Sequence, residues 1–227
     1  MQTDQARIFS EFEGDRWFER NREALDRFDP RRDSPLRLME LYQLRPATVL
    51  ELGASNGFRL AAIAERYGAK TVALEPSSQA VRQGRSRFPG VEFVEATADA
   101  IPLSQPFDLV IVNFVFHWID RFRLLRAVAE IDRLLVDGGF LIVGDFFPNN
   151  RTRVRYHHLP DREAYTFKQD YAAVFLASGL YQQVSLLAGD HASNDLRADV
   201  AEEERIATWL LRKRLQEHYV EPALARR

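Results

Sequence analysis

A chain of 227 residues, 46% hydrophobic and 28% charged, can bury one core or one core with a small cap, but is too short for a two-domain machine. Its 31 Lys+Arg against 33 Asp+Glu leave a net charge of −2, without the global positive field used in non-specific binding to nucleic acid or anionic membranes. The absence of cysteine excludes disulfides, Cys-ligated zinc, iron–sulfur clusters and thiol catalysis. No apolar run approaches a membrane span, and MQTDQARIFSEFEGDR carries acids where a signal peptide needs apolar residues, so a soluble, cytoplasmic protein is expected.

Residues 1–33 interleave Phe9, Phe12, Trp17 and Phe18 with acids and arginines and read as a helical arm ending in a turn at DPRRDSP. Asp33 or Ser34 can cap a following helix with Pro35 in its first turn, and Leu36, Leu38, Leu41 and Leu44 supply its apolar stripe. From residue 47 short apolar runs alternate with helical ones. ATVLEL (47–52), KTVALE (70–75), VEFVEA (91–96), FDLVIVNF (107–114) and GFLIVGDFF (139–147) read as strands, several nearly continuous in apolar residues, as a sheet covered on both faces requires. RLAAIAERYG, SQAVRQGRSRF and RFRLLRAVAEIDRLL carry helical periodicity between them. The alternation predicts a doubly wound α/β fold with a mostly parallel sheet, whose ligands sit at the carboxyl ends of the strands. Further on, RTRVRYHHLPDREAYTF reads as loop or extended chain, KQDYAAVFLASG as a helix closed by Gly179, and YQQVSLLAG and RIATWLLRK as strands. The expected division is a helical arm or cap over 1–45, a ligand-binding domain over 46–213 and a tail over 214–227, either a short helix or disordered.

The first strand runs directly into GASNG and a helix. Gly53 allows a tight turn, Gly57 lets the helix start pack on the strand, and the loop N–H groups can face a ligand. The G-x-x-x-G spacing weakens a dinucleotide reading, and Glu51, two residues before the first glycine, would repel a pyrophosphate but attract a cation such as an ammonium. Glu75 ends the second strand, where an acid accepts hydrogen bonds from ribose hydroxyls. A ligand with a ribose, an ammonium and no phosphate satisfies both acids, and S-adenosylmethionine has that chemistry. The blander reading makes Glu51 a plain strand end and Glu75 a neighbour of a helix cap.

Here the chain resembles the class I S-adenosylmethionine-dependent methyltransferases over about residues 46–145. VLELGASNG is similar to the family's acid-x-Gly-x-Gly-x-Gly loop with Ser55 at the middle glycine, and VALEPS to its second-strand acid segment. ADAIPL with FDLVIVNFVFHW resembles the adenine-side loop and fourth strand, and LLVDGGFLIV the entry to the fifth. The resemblance implies a seven-stranded Rossmann-like sheet whose last, antiparallel strand is RIATWLLRK. It places Glu51, Gly53 and the backbone of Ala54, Ser55, Asn56 and Gly57 around the methionine moiety, Glu75 on the ribose and Pro76 near the adenine. Thr97 stands where the family often has an acid reading the adenine amino group, leaving the Ala98 N–H for that contact. Asn113 and Phe114 would line the cofactor near its sulfonium.

Methyl transfer requires an aligned nucleophile, exclusion of water and, for some acceptors, a base; no metal is needed. His157 and His158 are base candidates, although neighbours in an extended segment point opposite ways, so one of them would reach a substrate. His117, in NFVFHW, reads as a cofactor wall or as a base. Tyr156, Trp118 and Arg153 are substrate-side candidates; Arg151, Arg153 and Arg155 alternate as on one face of a strand, suiting an anionic substrate or a solvated edge. Trp17 and Phe18 could form a lid with Arg20 towards the methionine carboxylate, or belong to an ordinary docking helix. EFEGDRWFERN and TFKQDYAAVFLASGLY resemble segments of methyltransferases of surface-sugar and natural-product pathways.

The expectation is a small-molecule methyltransferase acting on an oxygen or nitrogen, on a sugar or a carboxylate-bearing metabolite, with no nucleic-acid or membrane partner. The post-strand Asn-Phe-Val-Phe lacks the Pro-Pro of base amino methyltransferases. The alternative is a non-catalytic scaffold that keeps the fold. Acceptor identity and oligomeric state are not legible.

Overall fold

The computed structural model describes residues 5–193, 195–216 and 219. The arm is α1 (Gln5–Ile8), a π-helical turn (Phe9–Glu13) and α2 (Gly14–Asp26), one nearly continuous rod. Helix α3 (Ser34–Leu41) begins as its sequence dictates: Asp33 accepts from Leu36 N–H at 3.1 Å and Pro35 occupies the first turn, where its missing N–H costs nothing.

The alternating segment follows as β1 (Thr48–Leu52), α4 (Phe58–Tyr67), β2 (Lys70–Leu74), α5 (Ser78–Arg87), β3 (Val91–Val94), β4 (Phe107–Asn113), α6 (Leu124–Leu134) and β5 (Leu135–Phe146). Strand β5 starts four residues before the apolar run that announced it. Leu135 pairs with Phe107, the register then slips, and Leu109 pairs with Phe140, so the VDGG stretch is a bulge in which Gly138 takes φ +78°.

Two elements of the carboxy-terminal half were not legible. Strands β6 (Thr152–Arg155) and β7 (Tyr165–Lys168) form an antiparallel hairpin outside the main sheet. No residue of either strand is buried, so the alternation in TRVR and YTFK marked extended chain without the apolar face that would have fixed a pairing. Helix α7 (Ala172–Ala177), β8 (Tyr181–Asp190) and β9 (Arg205–Lys213) complete the chain as expected. The reading of the tail beyond Gln216 lies outside the described residues, Tyr219 excepted.

The seven-stranded sheet has the order β3-β2-β1-β4-β5-β9-β8, parallel from β3 to β5, with β9 antiparallel to both β5 and β8. Successive residues serve opposite faces: Leu50, Val72, Val110 and Leu141 pack with α6 and α7, whereas Val49, Ala73, Leu109 and Ile142 pack with α3, α4 and α5. Burial of both faces explains the near-continuous apolar runs. The order reverses between β1 and β4, and this switch point opens the crevice at the carboxyl strand ends. Among the described residues no helix is long and apolar enough to cross a membrane.

Candidate functional site

A cavity of about 740 Å³ lies over the carboxyl ends of β1, β2 and β4 and is roofed by the arm. Its roof is fastened by polar contacts at both ends. Gln5 donates to the carbonyls of Trp118 (2.7 Å) and Tyr165 (2.8 Å) and accepts from Tyr165 N–H, while Asp15 accepts from Ser77 Oγ (2.6 Å) and Gln79 N–H. Buried Glu13 accepts from Tyr156 Oη at 2.8 Å and pairs with Arg20.

One end of the cavity is acidic. Asp29, Asp33, Glu51, Glu75 and Asp99 all line it. Gly53 turns the chain at φ +66°, and a Cβ there would collide with Val115. Ser55 takes φ +52°, a left-handed conformation in which a serine is strained and a glycine is not. Contrary to expectation, most of the loop N–H groups are taken up within the chain. Gly53 N–H and Ala54 N–H donate to Leu74 O at 2.8 and 3.2 Å, because the β1–β2 pairing continues past the strand end. Ser55 N–H donates to Glu75 Oε2, and Ser77 N–H to Oε1, each at 2.8 Å.

Burial raises the Glu75 carboxyl to about 7 against these two donors. Burial likewise raises Glu51 to about 7, although the Arg59 guanidinium opposes it. Arg59 pairs with Glu51 Oε1 and reaches Asp33 at 2.7 Å, so the cation that Glu51 was expected to seek in a ligand is, on one oxygen, supplied by the chain. Glu51 Oε2 is buried without a hydrogen bond among the described residues.

The other end is aromatic and imidazole-lined. His117, in the short helical turn Phe116–Trp118, directs Nδ1 to Asp145 Oδ1 at 2.9 Å. Asp145, fully buried near the end of β5, also accepts from the backbone N–H of His117 (3.2 Å) and Phe146 (2.8 Å). Phe114, Phe146 and Trp118 surround the imidazole with ring centroids 6.1, 5.2 and 4.5 Å away. Phe9 stacks on Trp118 at 4.9 Å, and Tyr156 and Trp17 meet Trp118 edge-on. Four of the five histidines, His117, His157, His158 and His191, line this one cavity; the fifth, His218, lies outside the described residues.

Residues 49–139 match the family described as "Methyltransferase domain". Over these residues the chain is similar to methyltransferase domains. A trans-aconitate 2-methyltransferase of Rhizobium etli is 37% identical to the chain over 120 residues, covering 52% of this chain and 44% of that one. A ubiquinone/menaquinone biosynthesis C-methyltransferase of Campylobacter jejuni is 28% identical over 118 residues, 48% of this chain and 49% of that one. The chain thus spans about half the length of these curated relatives. In fold, the chain is similar to a Burkholderia thailandensis 1,6-didemethyltoxoflavin-N1-methyltransferase solved with 1,6-didemethyltoxoflavin and S-adenosylhomocysteine. The TM-score is 0.63 at 18% identity, over 78% of this chain and 75% of that one.

Of the residues singled out from the sequence, Glu51, Gly53, Ala54, Ser55, Glu75, Pro76, Thr97, Ala98, Asn113, Phe114, Trp17, His117, Trp118, Tyr156, His157 and His158 line the cavity. Asn56, Gly57, Arg20 and Arg153 do not. Asn56 donates to Gln83 at 2.6 Å, and Gly57 is confined by Phe93, whose ring would stand 2.7 Å from an added Cβ, so both positions serve packing. Arg20 holds Glu13 and Tyr156 Oη (3.1 Å) together and is not the expected carboxylate ligand, since a buried acid claims its charge. Arg153 is exposed with its guanidinium 4.5 Å above the Tyr165 ring. His157 and His158 stand in a turn rather than on a strand, so their rings do not diverge but lie 3.9 Å apart at the exposed rim.

Three participants were missed. Asp99, two residues beyond the position inspected, is buried at the cavity wall and accepts from Arg123 at 2.7 Å. Burial raises its carboxyl, but the hydrogen bonds from Arg123 and Thr97 outweigh this and the net shift is downward. Asp145 lies inside the fifth-strand run, and its pairing with His117 depends on the β4–β5 register. His191, in the β8–β9 connection, packs on Phe146 and Phe114 at 4.8 and 5.6 Å; no sequence motif marks it. Burial, with Lys168 and His117 nearby, lowers its imidazole.

Proposed function

We propose that the protein is an S-adenosylmethionine-dependent methyltransferase acting on an oxygen or nitrogen atom of a small molecule. The observation that carries this reading is the pair of buried carboxylates, Glu51 and Glu75, beside the Gly53 turn on the wall of one cavity. Leaving a carboxylate oxygen buried without a donor is costly, and a cationic ligand would relieve Glu51 Oε2. Each Glu75 oxygen already accepts one backbone N–H and can accept once more, which suits ribose hydroxyls. The volume lies in the usual range for small-ligand cavities, about 300–1,000 Å³. The residues present therefore fit the cofactor.

In this reading Glu51 and Arg59 would hold the charged methionine end, Glu75 the ribose, and Pro76, Ala98 and Asp99 the adenine side. When bound, the cofactor supplies an electrophilic methyl group on a sulfonium. Phe9, Trp17 and Trp118 exclude water beneath the arm, and Phe114 shapes the wall beyond β4 from a left-handed backbone, φ +57°. His157 and His158 remain candidates for contact with the acceptor at the rim. A carboxylate-bearing acceptor draws support from the trans-aconitate 2-methyltransferase relatives.

Isothermal titration tests the reading. Saturable binding of S-adenosylmethionine that Glu75→Ala weakens is expected; no heat at millimolar cofactor would leave a scaffold that keeps the fold.

A further inference from the structure

The two cavity ends differ in charge as well as in composition. All five acidic residues on the wall belong to the glycine-loop side, while the opposite end presents imidazoles and rings and no Asp or Glu among its described lining residues. The first end also holds Arg59, paired with Asp33 and Glu51, and Arg123, paired with Asp99. What the second end accepts follows from His117.

Asp145 is a buried carboxylate satisfied by three donors, one of them His117 Nδ1. A carboxylate only accepts, so Nδ1 carries a proton, and in the neutral imidazole the lone pair is then on Nε2. His117 lines the cavity, and Nε2 has no hydrogen-bond partner among the described residues. A neutral imidazole fixed by a buried anion, with its other nitrogen free, is built to take up a proton: the imidazolium that forms is stabilised by the adjacent charge. An acceptor that is already a carboxylate has no proton to give. The rings of Trp118 and Phe114 pack against this imidazole and Phe9 stacks on Trp118, all lining the same cavity, and the buried Trp118 Nε1–H lacks an acceptor among the described residues. Flat apolar walls with one unmet donor suit a ring bearing an electronegative atom.

We infer that the acceptor is a planar ring compound that arrives protonated at the atom to be methylated, a ring hydroxyl or ring N–H, and that His117, positioned by Asp145, removes that proton. The inference rests on the cofactor reading above and narrows it away from carboxylate acceptors. The acceptor's lone pair forms the bond to the methyl carbon as the carbon–sulfur bond breaks, its electrons remaining on sulfur. The acceptor's proton passes to His117 Nε2, and from the imidazolium to solvent.

The test uses the full chain with S-adenosylhomocysteine present, 4-nitrophenol as ring-hydroxyl probe and benzoate as ring-carboxylate probe. At about pH 6, below the midpoint of the free phenol, bound 4-nitrophenol is expected to show the phenolate absorption band as its proton moves to His117. His117→Gln, and Asp145→Asn, which keeps an acceptor for Nδ1–H but removes the charge, should each lower the ionised fraction about tenfold or more, equivalent to a one-unit shift in the bound phenol. Benzoate should bind at least about tenfold more weakly than 4-nitrophenol. The inference is overturned if 4-nitrophenol does not bind saturably, if benzoate binds as well, or if the phenolate band survives in His117→Gln. Any of these with intact S-adenosylhomocysteine binding removes this inference alone; loss of S-adenosylhomocysteine binding in the unmodified protein removes the cofactor reading with it.

Discussion

At one end of the cavity, Glu51 and Glu75 occupy neighbouring strand ends of a parallel sheet, and the loop between them is folded onto its own acceptors. At the other end, His117, Tyr156 and His191 come from three separate connections, fixed by the arm and by ring contacts rather than by the sheet. The first end is rigid because backbone pairing makes it, and its chemistry is that of carboxylates held away from water. The second depends on side-chain packing, so it can change its shape and its preferred acceptor without disturbing the sheet. In the proposed reading, a cofactor end held constant stands beside a variable acceptor end, as a fold supporting many chemistries requires.

The largest expected effect strikes the rigid end. Gly53→Ala places a methyl group against Val115 at a backbone conformation that L-residues resist, and should cost about 2–4 kcal/mol in urea unfolding; a smaller loss would show that the loop yields. Glu75→Ala removes the acceptor of two backbone N–H groups together with the proposed ribose contact, and cofactor affinity measured by calorimetry should fall about 10- to 100-fold.

The same end should respond to pH. With Glu51 and Glu75 raised to about 7 from 4.5, their protonated forms favour the fold. That contribution is complete below about pH 4.5 and is lost as pH rises through about 7, so the ligand-free protein should melt progressively lower across this window. Cofactor binding to the ionised carboxylates has the opposite sign: affinity should climb by up to about tenfold per pH unit for each group until about 7 and then level off. A flat affinity profile would separate the carboxylates from the ligand.

Smaller effects mark the packed end. Tyr156→Phe removes one hydrogen bond to Glu13 but leaves Arg20, and should lower stability by about 1 kcal/mol without altering cofactor affinity. Arg153→Ala, on the exposed hairpin, should stay within about 0.5 kcal/mol of the parent in thermal unfolding and leave acceptor binding unchanged.

The two ends also differed in how far they could be read from the chain. VLEL-GASNG and VALEP carry their meaning in contiguous residues, because a parallel strand followed by a tight turn fixes which side chain stands at the strand end. Arg20 and Arg153 misled, because a guanidinium goes to the nearest buried acid or ring face, and sequence spacing says nothing of where those lie. His157 and His158 misled through the turn that brings their rings together. Asp99 stood within the segment inspected, but its role depended on Arg123 from another element. Asp145 and His191 left no signal of their own, and the alternation in the β6–β7 hairpin named no partner strand.

By itself the sequence determined the doubly wound sheet, the capped helices and the acids beside the glycine turn, since apolar period, caps and turn residues act over a few positions. The tertiary structure alone decided which cation meets Glu51, which acid orients His117 and how the arm closes the cavity, because partners far apart in the chain compete for the same charges and hydrogen bonds and only packing selects among them.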